Sequence, residues 1–472
     1  MNDYAPTTAF TAGTAVASVD APSTSLLTDM YELTMLQGAL ASGTATRRSV
    51  FELFGRGLPA SRRFGVVAGT GRLLNAIEAF TFTPSQIDFL HRTGVVNDET
   101  LDFLRDYRFT GTVRGYAEGE CYFAGSPLLT VEGTFAEACI LETLALSIYN
   151  YDCAVASAAS RMTIAAHGRP CVDFGARRAH EQAAVAAARA SVVGGFVGTS
   201  NLEAGLLYGI PTVGTSAHSF TLLHDSEEDA FAAQVASLGP STTILVDTYD
   251  IATGVERAVK AARAAGGELG AVRLDSGDLV AEAFKVRAQL DALGATSTKI
   301  TVTNDLDEHA IAALGAAPVD SYGVGTKLVT GSGRPTAALV YKLVEREGAD
   351  GTMEEVAKFS SGGKSTVGGR KWAGRTLTSE GTAAEELVVS SSSQDQGLAA
   401  LSEAGARPLQ VLLVDEGRII EEHRGKEALS AAAERHRAAR AELPYDAWRL
   451  SDGESALPTR HVDLDGRSAT RR

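Results

Sequence analysis

An α/β protein with a β/α barrel at its centre and an α+β layer packed against it is the fold class this 472-residue sequence predicts. Three observations predict it. First, seven apolar runs between residues 171 and 328 each end in Gly, Ser/Thr and charged residues: CVDFGARR, GGFVGTSN, PTVGTSAHSF, TTILVDTYD, GAVRLDSGD, KITVTNDLD and VDSYGVGTK. Parallel strands buried on both faces are near-continuous apolar runs, joined by helices. Second, segments with helical periodicity separate several of these runs. Third, no GxGxxG follows the first run, and seven consecutive units favour a closed barrel over an open Rossmann sheet.

The elements follow in chain order. Residues 1–24 are rich in Ala, Thr and Ser and lack the basic start and apolar centre of a secretory signal, so they read as a disordered leader. Residues 25–145 form the α+β layer: an opening helix in LLTDMYELTMLQGAL, a strand in RRSVFELFGR, and β-rich sequence through YRFTGTVRGYAEGECYFAGSPLLTVEG. Residues 146–335 form the barrel. Within it Ile251, Val255, Val259 and Ala262 share one helical face that Gly266–Gly267 ends, and Leu279, Ala283, Val286, Leu290 and Leu293 form a second stripe ending at Gly294. A shorter helix is expected in DEHAIAALG. Residues 336–448 return to β-like sequence (AALVYKLVE, EEVAKFS), pass a loop or linker at 389–398, and end in a charged, Ala-rich helix at 426–442. Residues 449–472, with Arg460, Arg471 and Arg472, read as a polar tail, docked or loose.

Composition narrows the function. Apolar and charged fractions of 44% and 21% are those of an ordinary globular protein. No run approaches the roughly 18 apolar residues a membrane helix needs. A net charge of −15 argues against nucleic-acid or anionic-membrane partners, so a polyanionic ligand must be met by a local cluster of Arg and Lys. Cys121, Cys139, Cys153 and Cys171 form no CxxC pair and read as buried, reduced thiols, in keeping with a cytoplasmic protein.

Loops that follow the C-terminal ends of barrel strands converge on one mouth. Arg177, Arg178, Ser200, Thr215, His218, Asp247, Arg273, Asp275, Asp278, Asn304 and Thr326 are therefore expected around one pocket, a lining that suits an anionic, phosphorylated substrate. Arg suits planar, two-point contact with carboxylate or phosphate. Arg177 and Arg178 are adjacent, and on extended backbone only one of them enters the pocket. Arg273 lies within an apolar run, where an unpaired guanidinium is costly to bury. Asp278 or Ser276 is also a candidate helix cap. Gly323 to Thr326 lets backbone N–H groups approach a phosphate without Cβ interference. Gly362–Ser365 tempts a P-loop assignment, but that motif needs Gly where this chain has Lys358. Lys358 and Lys364 remain candidate nucleotide contacts. Tyr31 and Phe174 are the aromatic candidates for stacking a ring.

LLTDMYELTM, FGARRAH, GTSNLEAG, GTSAHSF, RLDSGD, a TND turn and GVGTKLVT occur in the order and approximate spacing of one family. The chain resembles nicotinate phosphoribosyltransferase from about Leu26 to Lys342, and more weakly to about residue 448. The resemblance implies an irregular seven-stranded β/α barrel with an open-faced sandwich built from both flanks, in a head-to-tail homodimer. It implies a reaction joining nicotinate to 5-phosphoribosyl-1-diphosphate, coupled to ATP hydrolysis through a phosphorylated histidine and requiring Mg²⁺. On that basis His218 is the phosphohistidine, and Arg273 faces the nicotinate carboxylate or the phosphoribosyl group. Asp275 and Asp278 hold ribose hydroxyls, steady the metal–diphosphate or stabilise positive charge on the ribose carbon. Gly323, Gly325 and Thr326 hold the 5′-phosphate, with Asn304, Arg177 and Phe174 beside them, and Tyr31 reaches the ring from the partner subunit. The nicotinamide-using relatives carry an aspartate where this chain has Ser200; a neutral Ser200, with Thr215 as donor, favours a carboxylate.

Other readings stay open. A nicotinamide- or quinolinate-using relative would share the motifs. A Schiff-base lyase barrel is disfavoured because Lys299 stands at a strand start, the wrong end. A barrel that binds phosphoribosyl compounds without turnover is separated by assaying diphosphate release.

Overall fold

The computed structural model describes residues 22–358 and 366–466. Most of the expected leader, the Gly362–Ser365 segment with Lys364, and the last six residues with Arg471 and Arg472 lie outside the described residues.

The apolar runs form a parallel sheet in the order Gly198–Thr199, Cys171–Asp173, Ser321–Val324, Lys299–Val302, Ala271–Leu274, Thr243–Leu245. Six runs are strands. The run expected as a further strand, at 212–220, contributes only a parallel bridge from Thr212 to Thr199. Two backbone bonds hold it there, Thr199 N–H to Pro211 O at 3.0 Å and Val213 N–H to Thr199 O at 2.9 Å. The sheet is thus a half-barrel, and the ladder does not close between this run and Thr243–Leu245 among the described residues. The reason is local. Pro211 has no N–H to give, and the Gly-Thr-Ser-Ala stretch that follows lacks the branched apolar side chains that hold a strand on a buried sheet.

Both long helical stripes form as read. Ile251–Ala264 starts at Asp250, whose side chain accepts from Thr253 N–H at 2.8 Å, and buries Val255, Val259 and Ala262. Leu279–Ala292 buries Ala283, Val286 and Leu290. The 24-residue helix Glu142–Ala165 runs through the expected boundary at 145/146 and packs the barrel against the outer layer.

That outer layer is a seven-stranded sheet that interleaves the two flanks: Arg48–Gly55 pairs antiparallel with both Pro127–Thr134 and Leu339–Glu347, and Thr112–Tyr116 pairs with Gln410–Asp415. A smaller sheet holds 406–408, 371–377, 383–390 and 459–463, so part of the expected polar tail is an edge strand. The Ser-rich stretch expected as a loop at 389–398 instead ends one strand and opens the helix Gln394–Glu403, with Ser393 as its cap. Serine favours caps as well as loops, and composition alone did not separate them.

Buried ion pairs join these layers. Glu118 receives two bonds from Arg189 of the helix Glu181–Val193, at 2.6 and 2.7 Å, and Glu308 meets Arg161 at 3.0 Å. A buried carboxyl ties the opening helix Met30–Ala41 to the central one: Glu32 accepts from Thr143 N–H at 2.8 Å and from the hydroxyls of Thr143 and Thr28. Burial pushes the Glu32 carboxyl up to about 7 from 4.5, against those donors. Between those two values the folded chain holds a proton that the unfolded chain has released, so this contribution is full below 4.5 and is lost as pH rises through about 7. Glu32→Gln removes the titration. Relative to wild type, the variant's unfolding free energy is expected to rise by up to about 1.4 kcal/mol per pH unit across that window, measured by urea melts at several pH values.

Candidate active site

The strand-end loops of the half-barrel enclose a cavity of about 430 Å³. Phe174 follows the Cys171–Asp173 strand and lines it, fixed by its N–H to Val324 O at 2.8 Å. Below lies the buried carboxylate of Asp173, which accepts from Gly175 N–H and Thr199 Oγ1, both at 2.7 Å. Residues Ala176–Arg178 form a single turn of 3₁₀ helix, not extended chain. Successive side chains therefore do not alternate sides, and both Arg177 and Arg178 line the cavity. Ser200 lines it from the neighbouring strand end, its N–H donating to Asp173 O at 2.8 Å.

Arg273 is the central group. It lies on the Ala271–Leu274 strand and is only 9% exposed. Its Nη1 donates to Thr215 Oγ1 at 2.5 Å and to Ser216 O at 3.3 Å. These bonds bridge the side of the sheet where no ladder closes. Nε, which is buried, has no hydrogen-bond partner among the described residues, and Nη2 stands 3.9 Å from Asp275 Oδ2, beyond hydrogen-bond range. On the edge of the guanidinium formed by Nε with Nη2, no hydrogen bond to the protein is made among the described residues. Desolvation lowers the arginine's affinity for its proton, and Asp275 and Asp247 oppose that.

Asp275 lines the cavity, its N–H bound to Asp247 Oδ2 at 2.8 Å. Ser276 Oγ donates to the same oxygen at 2.7 Å, and Asp247 Oδ1 is buried without a hydrogen-bond partner among the described residues. Asn304 and Asp305 line the opposite wall with positive φ of 95° and 38°, a backbone form that Asn and Asp tolerate better than most residues. Gly323 must be glycine: a Cβ there would lie 2.5 Å from both the Phe174 ring and the Thr303 methyl. Gly325 and Thr326 complete this wall, but the helix they open, Thr326–Val329, is only four residues long.

Four expected residues lie elsewhere, Asp247 among them: its carboxylate holds Asp275 and Ser276 without lining the cavity. Asp278 is exposed and caps the helix Leu279–Ala292 through Ala281 N–H at 3.2 Å; it does not line the cavity. His218 opens the helix His218–Leu223 one residue past the cavity-lining Ala217, with Nδ1 3.1 Å from Thr248 Oγ1. Tyr31 is 44% exposed in the first turn of the opening helix, in the outer layer. Its phenol is pushed up to about 12 by partial burial and by Glu142 and Glu32. Lys358 is exposed and does not line the cavity either. Conversely, Thr303 and Asp305 line the cavity without having been singled out, although both belong to the TND turn. No group of three or more metal-ligating side chains occurs among the described residues.

Three arginines and two aspartates thus line one strand-end pocket of a strongly acidic chain. With its free guanidinium edge, glycine wall and aromatic face, it defines a β/α enzyme that handles an anionic, ring-bearing or phosphorylated substrate. Family models agree. The nicotinate phosphoribosyltransferase N-terminal domain matches residues 26–150, and the nicotinate phosphoribosyltransferase family matches residues 170–361. A nicotinate phosphoribosyltransferase of Mycobacterium tuberculosis is 51% identical over 445 residues, covering 93% of this chain and 95% of the relative. One from Bacillus subtilis is 37% identical, covering 74% and 72%. The crystal structure of human nicotinic acid phosphoribosyltransferase shares the fold, with a TM-score of 0.77, 24% identity, and coverage of 92% and 97%. The chain belongs to the nicotinate phosphoribosyltransferase family.

Proposed function

We propose that this enzyme transfers the phosphoribosyl group of 5-phosphoribosyl-1-diphosphate to nicotinate, forming nicotinate mononucleotide and diphosphate in NAD salvage, with ATP hydrolysis coupled through phosphorylated His218. The observation that carries the reading is Arg273, whose Nε has no hydrogen-bond partner among the described residues and which lines a cavity together with Phe174, Ser200, Gly323, Gly325 and Thr326. The pyridine carboxylate takes two bonds from the Nε–Nη2 edge, which orients the ring nitrogen toward the anomeric carbon. Phe174 supports the ring face. Asp275 faces the ribose, where positive charge develops as diphosphate leaves. Arg177 and Arg178 meet the phosphates, and Asn304 and Asp305 the sugar hydroxyls.

Mg²⁺ is held in such sites by one or two carboxylates together with substrate phosphates, not by a protein cage. Asp275 and Asp305 on the cavity wall fit that role, and the metal would neutralise charge on the departing diphosphate. A head-to-tail homodimer is part of the proposal. Each chain exposes two sets of apolar residues: Leu202, Leu206, Leu222 and Leu223 on the helices Leu202–Tyr208 and His218–Leu223, and Leu27 just before, with Met30, Tyr31 and Met35 on, the opening helix. Pairing one set with the other across a two-fold axis buries each of them twice and carries Tyr31 to the partner's cavity. No helix among the described residues is long and apolar enough to cross a membrane, and a cytosolic enzyme is the reading we adopt.

The test is to offer nicotinate, nicotinamide and quinolinate with 5-phosphoribosyl-1-diphosphate and to measure diphosphate release with and without ATP. Release with nicotinate alone, stimulated by ATP, is expected; equal use of nicotinamide would overturn the selectivity. Ser200→Asp sharpens the point. A carboxylate at that strand end repels the nicotinate carboxylate and accepts from an amide, so nicotinate use is expected to fall on the order of 100-fold while nicotinamide use appears. Unchanged preference in a folded variant would remove Ser200 from the account of selectivity.

A further inference from the structure

We infer that Thr303 is a positioning residue that keeps Asp275 off Arg273, and so keeps the binding edge of the arginine open. The inference rests on the reading of Arg273 given above. Thr303 is the first residue after the Lys299–Val302 strand and is 4% exposed. Its N–H donates to Leu274 O at 2.9 Å, which locks it beside the strand end that carries Asp275. Its hydroxyl donates to Asp275 Oδ1. Its methyl and the Phe174 ring both crowd the place a Cβ at 323 would take. The side chain therefore has one rotamer in which the methyl fills the floor and the hydroxyl restrains the carboxylate.

The restraint has a direction. Asp275 and Arg273 are opposite charges on one strand end, with Nη2 and Oδ2 3.9 Å apart. At that separation in a half-buried site, attraction would draw them into a hydrogen-bonded pair unless the carboxylate is held by something else. Its backbone is fixed by Asp247, but that bond leaves the side chain free to rotate. The Thr303 hydroxyl is the only side-chain donor within hydrogen-bond distance of the Asp275 carboxylate among the described residues. Without it, Asp275 closes on Nη2, and the arginine edge that would take a substrate carboxylate is occupied from within.

Thr303→Val keeps shape and methyl and removes only the hydroxyl. The expected result is a nicotinate KM raised on the order of ten-fold, with the KM for 5-phosphoribosyl-1-diphosphate changed far less and the thermal midpoint not lowered. Thr303→Ser restores the hydroxyl, and its nicotinate KM is expected to return to within about two-fold of wild type. A valine variant with wild-type nicotinate KM overturns the inference. So does one in which both KM values and the thermal midpoint deteriorate together, since that is the signature of a merely structural threonine. A wild-type enzyme inactive toward nicotinate is a different failure, seen before any variant is made; it removes the reading of Arg273 and this inference with it.

Discussion

Arg273→Lys is expected to lower kcat/KM for nicotinate on the order of 30- to 1000-fold, or about 2–4 kcal/mol of transition-state stabilisation. A lysine keeps the charge but not the fork. Arg273 already commits Nη1 to Thr215 Oγ1 and Ser216 O, and offers Nε and Nη2 as a second, coplanar pair of donors. A single ammonium on a flexible stem can satisfy the loop or the substrate, not both in fixed geometry. The loss should appear in nicotinate KM and in kcat together, because the same contacts bind the ring and aim its nitrogen. The measurement is steady-state kinetics beside a thermal melt. Near-wild-type kinetics in the lysine variant would mean that charge alone is used there, and the two-point contact would have to be abandoned.

Arg273 also shows how far the sequence can be read and where reading stops. An arginine inside an apolar run followed by Gly, Ser and Asp is legible as a strand-end functional group, because burying it idle is costly. Strand-end position made Ser200, Asp275 and Asn304 legible, ring stacking suggested Phe174 and close phosphate approach suggested Gly323, and all of them line the cavity. The structure adds a second reason for Gly323 that sequence did not show: two side chains occupy the place of its missing Cβ. What sequence did not yield was local geometry. Asp278 offered both a cap and a site residue, and only the helix start at Leu279 decides that its side chain serves Ala281 N–H. The 212–220 run had the same strand-end signature as its neighbours, yet one bridge is all it makes, because hydrogen-bond registration depends on the partner strand as much as on the run itself. Arg177 and Arg178 were assigned alternating sides from an assumed extended backbone, and a single 3₁₀ turn cancels that argument. Tyr31 and His218 are the reverse case. Their motifs stand out in the chain, while in the single chain neither lines the pocket. The head-to-tail pairing proposed above would carry Tyr31 to the partner's cavity, and the proposed role of His218 requires the 214–218 loop to move inward.

His218→Ala tests that last point and carries the second large effect. In wild type the ring sits at the start of a six-residue helix, half-buried, held through Nδ1 by Thr248. Two residues before it, Ser216 O is pinned by Arg273. A phosphoryl group on the ring adds about two negative charges two residues from that pin, next to a cavity lined by Arg177, Arg178 and Arg273. Attraction to those cations would draw the loop inward over the cavity, and loss of the group would let it relax; the Arg273 contact is the link through which this reaches the nicotinate edge. Removing the imidazole is therefore expected to abolish ATP hydrolysis, ATP stimulation and protein labelling by γ-phosphate-labelled ATP, while slow ATP-independent formation of nicotinate mononucleotide persists. Because the ring makes one hydrogen bond and little buried contact, the thermal midpoint should move by no more than a few degrees. An alanine variant that still responds to ATP would place the phosphoryl acceptor elsewhere. One that fails to fold would make His218 a structural residue, and the coupling would then need a different carrier on the same loop.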